Sequence, residues 1–417
     1  MWRTLVGIDD VRAAAERLRP VGVLTPLQLS ERLSERTGAT VYLKREDLQA
    51  VRSYKIRGAF NFIAGLSPEA LAAGVVCASA GNHGQGVAWS CAHLGVRGAV
   101  FLPHRTPRQK VARIRALARD LVEVRFAGES FDDANDAAAL YAAEHGATVV
   151  PTFDHPATVA GQGTVALEVL DQLGRPPDVM TVPIGGGGLA SGIAVTLDGL
   201  GAPTEIIGVQ PAGAPAMLRS IEAGHPVMID IEDAFVDGAV VRTPGTLTFS
   251  IVRDLVHRLV VVEEGRVCTE QLDLYQIDGI VAEPAGALAL AALDDVAADI
   301  AGRTVVCILS GGNNDVARYD EIIERSLVHQ GLKHYFVVGF PQRPGALRRF
   351  LDECLGPTDD IVLFEYIKKN DREFGPALVG VELAQRGDLP PLLDRIEASG
   401  LDVQRLPPDS PMARLLV

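Results

Sequence analysis

The 417-residue chain is 47% apolar and 22% charged, with a formal net charge of −14. That length predicts two or three structural units, and the acidic balance argues against non-specific binding to nucleic acid or anionic membrane, which needs clustered Lys and Arg. Five scattered cysteines with no Cys-x-x-Cys pair fit reduced thiols rather than a disulfide framework or a cysteine zinc site.

The N-terminal stretch carries Asp9 and Asp10 ahead of an amphipathic helical pattern and lacks the apolar core of a signal peptide. No apolar run reaches the roughly 18 residues that cross a bilayer, so the expected location is the cytoplasm. From Val41–Leu43 onward, short β-branched runs alternate with helical patterns. Ser53–Leu66 reads as a helix, Gly74–Ala78 as a strand, His83–Leu94 as a helix, Gly98–Leu102 as a strand and Arg108–Ala118 as a helix. Further strands are expected at Leu121–Phe126, Thr148–Phe153, Val179–Ile184, Ile206–Val209 and Val305–Leu309. Continuous apolar strands alternating with helices predict an α/β fold with buried parallel sheets flanked by helices.

The pattern changes near Ser326–Leu332. His334–Phe340 alternates as a strand, Ala346–Leu355 reads as a helix, and Ile361–Ile367 and Ala377–Leu383 read as strands about a turn at Asn370-Asp371. A helix at Pro390–Ser399 and a Pro-rich tail complete a small α+β module. The expected division is a catalytic region of residues 1–328, with a smaller subdomain at about 58–155, and a second region of residues 329–417.

Several motifs fall where strands end and helices begin, the place where open α/β sheets bind ligands. Lys55, in Ser53-Tyr54-Lys55-Ile56-Arg57-Gly58, opens a helix whose positive end favours a neutral, nucleophilic amine; the alternative is a solvated surface lysine. Ser79-Ala80-Gly81-Asn82-His83-Gly84 exposes backbone amides that can hold a carboxylate, and Asn82 adds a side-chain donor; the alternative is a tight capping turn. Gly185-Gly186-Gly187-Gly188-Leu189 lets the backbone wrap a phosphate at a helix N-terminus, without the spacing of a dinucleotide fingerprint. Glu283 in Glu283-Pro284-Ala285-Gly286 opens a helix, where a carboxylate is also an ordinary cap. Ser310-Gly311-Gly312-Asn313 follows a strand directly, and Gln210-Pro211 is expected to line the same crevice.

In this order, the motifs resemble the fold type II pyridoxal-phosphate enzymes, the tryptophan-synthase-β-like superfamily, and within it the threonine dehydratase family, over roughly residues 20 to 325. The resemblance implies pyridoxal 5′-phosphate as cofactor, with Lys55 as the lysine that holds it covalently and then acts as base. It implies that Asn82 bonds the phenolic oxygen, that Gly185, Gly186, Gly187, Gly188 and Leu189 hold the phosphate, and that Ser310 meets the pyridine nitrogen. Tyr54 matches an aromatic position beside the ring, Glu283 is placed among the cofactor-binding residues, and Ser79, Gly81, Asn82 and His83 match the loop that receives the substrate carboxylate. The implied reaction is β-elimination of water from L-threonine, giving 2-oxobutanoate and ammonia at the head of isoleucine biosynthesis.

Rival readings are serine dehydratase, serine racemase, threonine synthase and a catalytically dead amino-acid sensor. Ala80 stands where related racemases carry a serine, and Gln210, Ala214 and Ala216 stand where their divalent cation takes carboxylates, so no metal is expected. The segment Phe340-Pro341-Gln342-Arg343-Pro344-Gly345 resembles the ACT-like regulatory domain of biosynthetic threonine dehydratases. Isoleucine, or valine, is the effector this implies, with a dimer or tetramer as the assembly.

Overall fold

The computed structural model describes residues 2–22, 24–366 and 373–407, together with residues 410, 412 and 416. The expected turn at Asn370-Asp371, and the end of the strand expected to reach Ile367, lie outside the described residues. The chain forms two compact units, residues 1–315 and 316–417.

The first unit holds two sheets. The larger has the strand order Leu27–Leu29, Thr40–Arg45, Thr304–Leu309, Val179–Pro183, Glu205–Pro211, Arg258–Val262. All neighbours run parallel except the edge pair Leu27–Leu29 and Thr40–Arg45. Its two central strands, Val179–Pro183 and Thr304–Leu309, are buried at every residue, as strands covered by helices on both faces must be. The smaller sheet is all parallel, ordered Val122–Phe126, Gly98–Leu102, Val75–Ala78, Thr148–Val149. Its last strand stops at Val149 rather than Phe153, because Pro151 has no N–H to continue the ladder.

Two helices sit at the centre of this unit. Lys55–Ala64 and Pro156–Leu173 pack together closely, since a Cβ at Gly161 would stand 2.5 Å from the Arg57 carbonyl oxygen. The apolar core gathers Val182, Ile184, Leu189, Ile193, Val306 and Ile308 beneath the larger sheet's helices.

The second unit begins with the helix Tyr319–Gln330, so the expected division between residues 328 and 329 falls within a continuous helix. A four-stranded antiparallel sheet follows, ordered Asp360–Tyr366, Phe374–Glu382, Lys333–Pro341, Asp402–Leu406. The helices Ala346–Cys354 and Leu389–Ala398 contribute Phe350, Leu392 and Ile396 to a core with Phe336, Val338 and Phe340. The strand Asp402–Leu406 replaces part of the expected Pro-rich tail, and it alternates weakly because only Leu406 is fully buried. No helix among the described residues is long and apolar enough to cross a membrane.

Candidate active site

The sequence motifs meet at the C-terminal ends of the parallel strands. Ser79–Gly81 follows Val75–Ala78, the four glycines follow Val179–Pro183, and Ser310–Asn313 follows Thr304–Leu309. Lys55 is the first residue of its helix.

Lys55 is tied to both sides of the cleft. Its Nζ makes one hydrogen bond among the described residues, a long one of 3.4 Å to the Thr152 carbonyl oxygen, and lies 5.3 Å from the centre of the Tyr54 ring. The segment just before it is stitched to the serine loop. Tyr54 N–H donates to the Ser310 carbonyl at 3.1 Å and Gly312 N–H to the Arg52 carbonyl at 2.9 Å, while Ser53 and Gly311 form an antiparallel bridge. Arg52 takes the left-handed conformation, φ 57°, which costs a non-glycine residue energy and persists where surrounding bonds impose it. Ser53 Oγ, fully buried two residues before Lys55, has no hydrogen-bond partner among the described residues.

Asn82 sits inside a chain of side-chain bonds. Its Nδ2 donates to Glu283 Oε1 at 2.6 Å, and its Oδ1 accepts from Asn313 Nδ2 at 2.6 Å. Asn313 Nδ2 also donates to the Val51 carbonyl at 2.7 Å. The amide of Asn82 is therefore fixed in orientation, with one N–H still to give. Glu283 is the residue before the helix Pro284–Ala291 but makes no capping bond; its carboxylate reaches across to Asn82 instead. Burial and then the nearby Asp237 charge push the Glu283 carboxyl up to about 7. Ser310 Oγ, also buried, donates to the Ala285 carbonyl at 3.0 Å.

The His83 side chain turns to the backbone of Val150. Its Nε2 lies 3.0 Å from the Val150 carbonyl, which can only accept, so Nε2 carries the proton. Burial, and then the Lys55 charge, lower this imidazole to about 3. A neutral ring turned to Val150 leaves its backbone N–H, at the start of the helix Asn82–Leu94, as the group that can face a carboxylate. Ser79 Oγ accepts from Gly81 N–H at 3.2 Å, and space is open around Gly81, where an added Cβ would meet nothing within 4 Å.

The glycine loop is the opposite case. A Cβ at Gly186 would stand 2.4 Å from the Phe153 ring, one at Gly185 2.8 Å from the Ala239 carbonyl oxygen, and one at Gly188 3.0 Å from Phe153 Cβ. Gly187 has φ 91°, a conformation that glycine alone adopts without cost. The helix Gly188–Gly199 makes its first backward bond from Ser191 N–H to the Gly187 carbonyl. The amides before Ser191 thus have no intrahelical acceptor and form an anion cradle. Leu189 offers this cradle its amide only, since its side chain is in the core. Gln210, expected near the crevice, spends its amide on the Ile184 carbonyl and the Leu218 N–H and is fully buried.

Three further residues shape the cradle and carry no motif. Phe153 walls it, Thr248 Oγ1 donates to the Gly186 carbonyl at 2.6 Å, and Asp154 accepts from the Thr246 and Thr248 N–H groups at 2.9 and 3.0 Å. An anion cradle, a lysine with a nearly unspent ammonium and an amide with an unspent donor together fit pyridoxal phosphate. No group of three or more His, Cys, Asp or Glu residues that could hold a metal occurs among the described residues.

Residues 18–311 match the family model of pyridoxal-phosphate dependent enzymes, and residues 324–416 match that of the C-terminal regulatory domain of threonine dehydratase. The chain belongs to the threonine dehydratase family. It is 56% identical over 412 residues to the biosynthetic L-threonine dehydratase of Mycobacterium tuberculosis, covering 98% of this chain and 95% of that protein. The Bacillus subtilis enzyme of the same name is 46% identical over 414 residues, covering 99% of this chain and 98% of the relative. Among solved structures, processed threonine deaminase isoform 2 of Solanum lycopersicum superposes with a TM-score of 0.74 at 35% identity, over 77% of this chain and 87% of the other. Maize serine racemase follows with a TM-score of 0.72 at 30% identity, over 78% and 99%.

Proposed function

We propose that this protein is an L-threonine ammonia-lyase that releases 2-oxobutanoate and ammonia, the opening reaction of isoleucine biosynthesis. The observation that carries the reading is the meeting of Lys55, the Asn82 loop, the glycine cradle and Ser310 at one set of strand ends. Pyridoxal phosphate, when bound, supplies an aldehyde for the Lys55 amine and a ring that acidifies the substrate's α-hydrogen.

The residues then divide the work. The amides of Gly185–Leu189 hold the phosphate, and Thr248 holds the loop that presents them. Asn82, kept in one orientation by Glu283 and Asn313, gives its remaining N–H to the phenolic oxygen. Ser310 would meet the ring nitrogen with a hydroxyl, which would not keep that nitrogen charged as a carboxylate would. Ser79, Gly81 and the first amides of the helix Asn82–Leu94 receive the substrate carboxylate. Lys55 Nζ takes the α-proton as general base. Tyr54 lies beside Lys55 and would pack on the cofactor ring.

Ala80 bears on the racemase alternative. A methyl group there can neither give nor take a proton, so Ala80 supplies no second acid–base group for racemisation. The same active site admits serine, and one methyl in a pocket is worth only about 1–3 kcal/mol; the substrate preference is assigned from the relatives.

The second unit is proposed as an effector domain for isoleucine or valine, in an assembly of two or four chains working in the cytoplasm. Its loop Gln342–Gly345, in front of the helix Ala346–Cys354, carries a buried Gln342 Nε2 without a partner among the described residues. The test is 2-oxo acid release from L-threonine and L-serine, with and without isoleucine. Wild type should prefer threonine and shift its saturation curve with isoleucine, by a coupling of about 1–3 kcal/mol. Lys55→Ala should lose at least about a thousandfold in rate, the scale of a lost acid–base group. Undiminished turnover by Lys55→Ala would reject the assignment.

A further inference from the structure

A buried quartet of charges lies on the face of the Lys55 helix turned away from the cleft. Arg57 spends all five of its N–H donors. Nε and Nη2 pair with Glu46 at 2.8 and 2.7 Å, Nη1 and Nη2 pair with Glu168 at 2.6 and 2.8 Å, and Nη1 also donates to Thr164 Oγ1 at 3.0 Å. Lys44 spends all three of its own, on Glu168 at 2.5 Å, the Thr25 carbonyl at 2.6 Å and Gln172 Oε1 at 3.1 Å. Arg57 is 3% exposed, and Lys44 and Glu46 are fully buried.

Burying Lys44, Glu46 and Arg57, with Glu168 partly shielded beside them, is a poor route to stability, because desolvation consumes most of the attraction. The placement suggests another use. Lys55 and Arg57 are the first and third residues of one helix, so their side chains leave it about 200° apart. One enters the cleft while the other enters the body. Behind the helix, Leu18, Gln49, Ile56, Arg57, Thr164 and Glu168 border a cavity of about 390 Å³. The anchors come from different elements: Lys44 lies near the end of the large-sheet strand Thr40–Arg45, Glu46 opens the short 3-10 turn that follows it, and Glu168 stands on the helix Pro156–Leu173. That helix is also pressed against the lysine helix, where a Cβ at Gly58 would stand 2.4 Å from Gln162 Nε2. Burial alone would raise the Glu46 carboxyl, but the Arg57 charge and hydrogen bonds and then Lys44 hold it below its ordinary range.

We propose that Arg57, clamped two-armed between Glu46 and Glu168, is a positioning residue that fixes the first turn of the lysine helix and so aims Lys55 Nζ. The proposal rests on Lys55 being the lysine that holds the cofactor. A lysine at position 57 keeps the charge but cannot grip two carboxylates at once.

The experiment compares three forms of the cofactor-loaded, full-length enzyme: wild type, Arg57→Lys and the apolar quartet Lys44→Met/Glu46→Leu/Arg57→Met/Glu168→Leu. Measured are kcat and KM for L-threonine, the visible absorption of bound cofactor, its dissociation rate and the melting temperature. Arg57→Lys should lose about tenfold or more in kcat, as small misplacements of a reacting group do, with KM little changed, a shifted band and faster cofactor loss. The apolar quartet should melt at or above the wild-type temperature, as apolar replacements of buried ion networks often do, while the kcat loss persists. Activity and spectrum returning with stability in the quartet would mark the network as structural and overturn the proposal. Should the quartet not fold, Arg57→Lys decides: a lower melting temperature with unchanged kcat, band and dissociation rate overturns it equally. A Lys55→Ala chain that still shows a lysine-bound cofactor band would refute the reading of Lys55 instead, leaving the two failures distinct.

Discussion

The two ligand-facing loops of the catalytic unit solve one problem in opposite ways. Both precede a helix and both are rich in small residues, yet the Gly185–Gly188 loop is hemmed in by Phe153, Ala239, Met217 and Thr248, while Gly81 faces open space. In the first loop, glycine is demanded by the protein itself, through close approach and a left-handed φ at Gly187. In the second, Gly84 is demanded likewise, since a Cβ there would stand 2.0 Å from the Ser79 carbonyl oxygen, but nothing in the fold requires Gly81, so the open room beside it is left for what binds. A cofactor phosphate that stays bound calls for a preformed, rigid cradle, whereas a substrate carboxylate that enters and leaves calls for access.

Substitutions at the two loops should therefore separate cofactor from substrate. Gly186→Ala forces a methyl to within 2.4 Å of the Phe153 ring, an overpacking of about 1–3 kcal/mol. Its largest effect should be on cofactor affinity, weakened roughly tenfold to a hundredfold and read by equilibrium dialysis; undiminished affinity would dissolve the contrast. Gly81→Ala meets no atom, so its melting temperature and cofactor affinity should match wild type within about 0.5 kcal/mol. Its KM for threonine should rise severalfold, and an unchanged KM would remove Gly81 from the substrate loop.

A separate effect, visible only as pH changes, concerns Glu283, which holds Asn82 between the loops. Its folded carboxyl stands near 7 against an ordinary 4.5, so the folded chain keeps a proton that the unfolded chain releases. Stability from this group is present at low pH and is lost as pH rises from about 4.5 through 7, by about 3 kcal/mol. In the cofactor-free protein, Glu283→Gln should raise the melting temperature by a few degrees at pH 8 and leave it unchanged at pH 4.5. A gain that does not vary with pH would contradict the proposed protonation.

How much of this could be read from the chain depends on how local each signal is. The glycine run and the Ser310-Gly311-Gly312 segment stand out because small residues interrupt apolar strands, and their strand-end positions announce a site. Thr248, 62 residues from the glycine it pins, announces nothing, and Asn313, though it closes the Ser310 motif, gives no sign of its bond to Asn82, 231 residues away, because such partners meet only through the fold. Glu283 read equally well as a helix cap until its carboxylate was seen to cross the cleft. The edge strand Arg258–Val262 was legible in its apolar run Leu259–Val262, although only Val262 is buried. Asp402–Leu406 was not, because Asp402, Gln404 and Arg405 interrupt its apolar pattern.

The most direct test of the account is to reduce the cofactor-loaded protein with borohydride, digest it and weigh the peptides. A single pyridoxyl adduct should appear on the peptide that contains Lys55. An adduct on another lysine, or on none, would contradict the assignment on which the site is built.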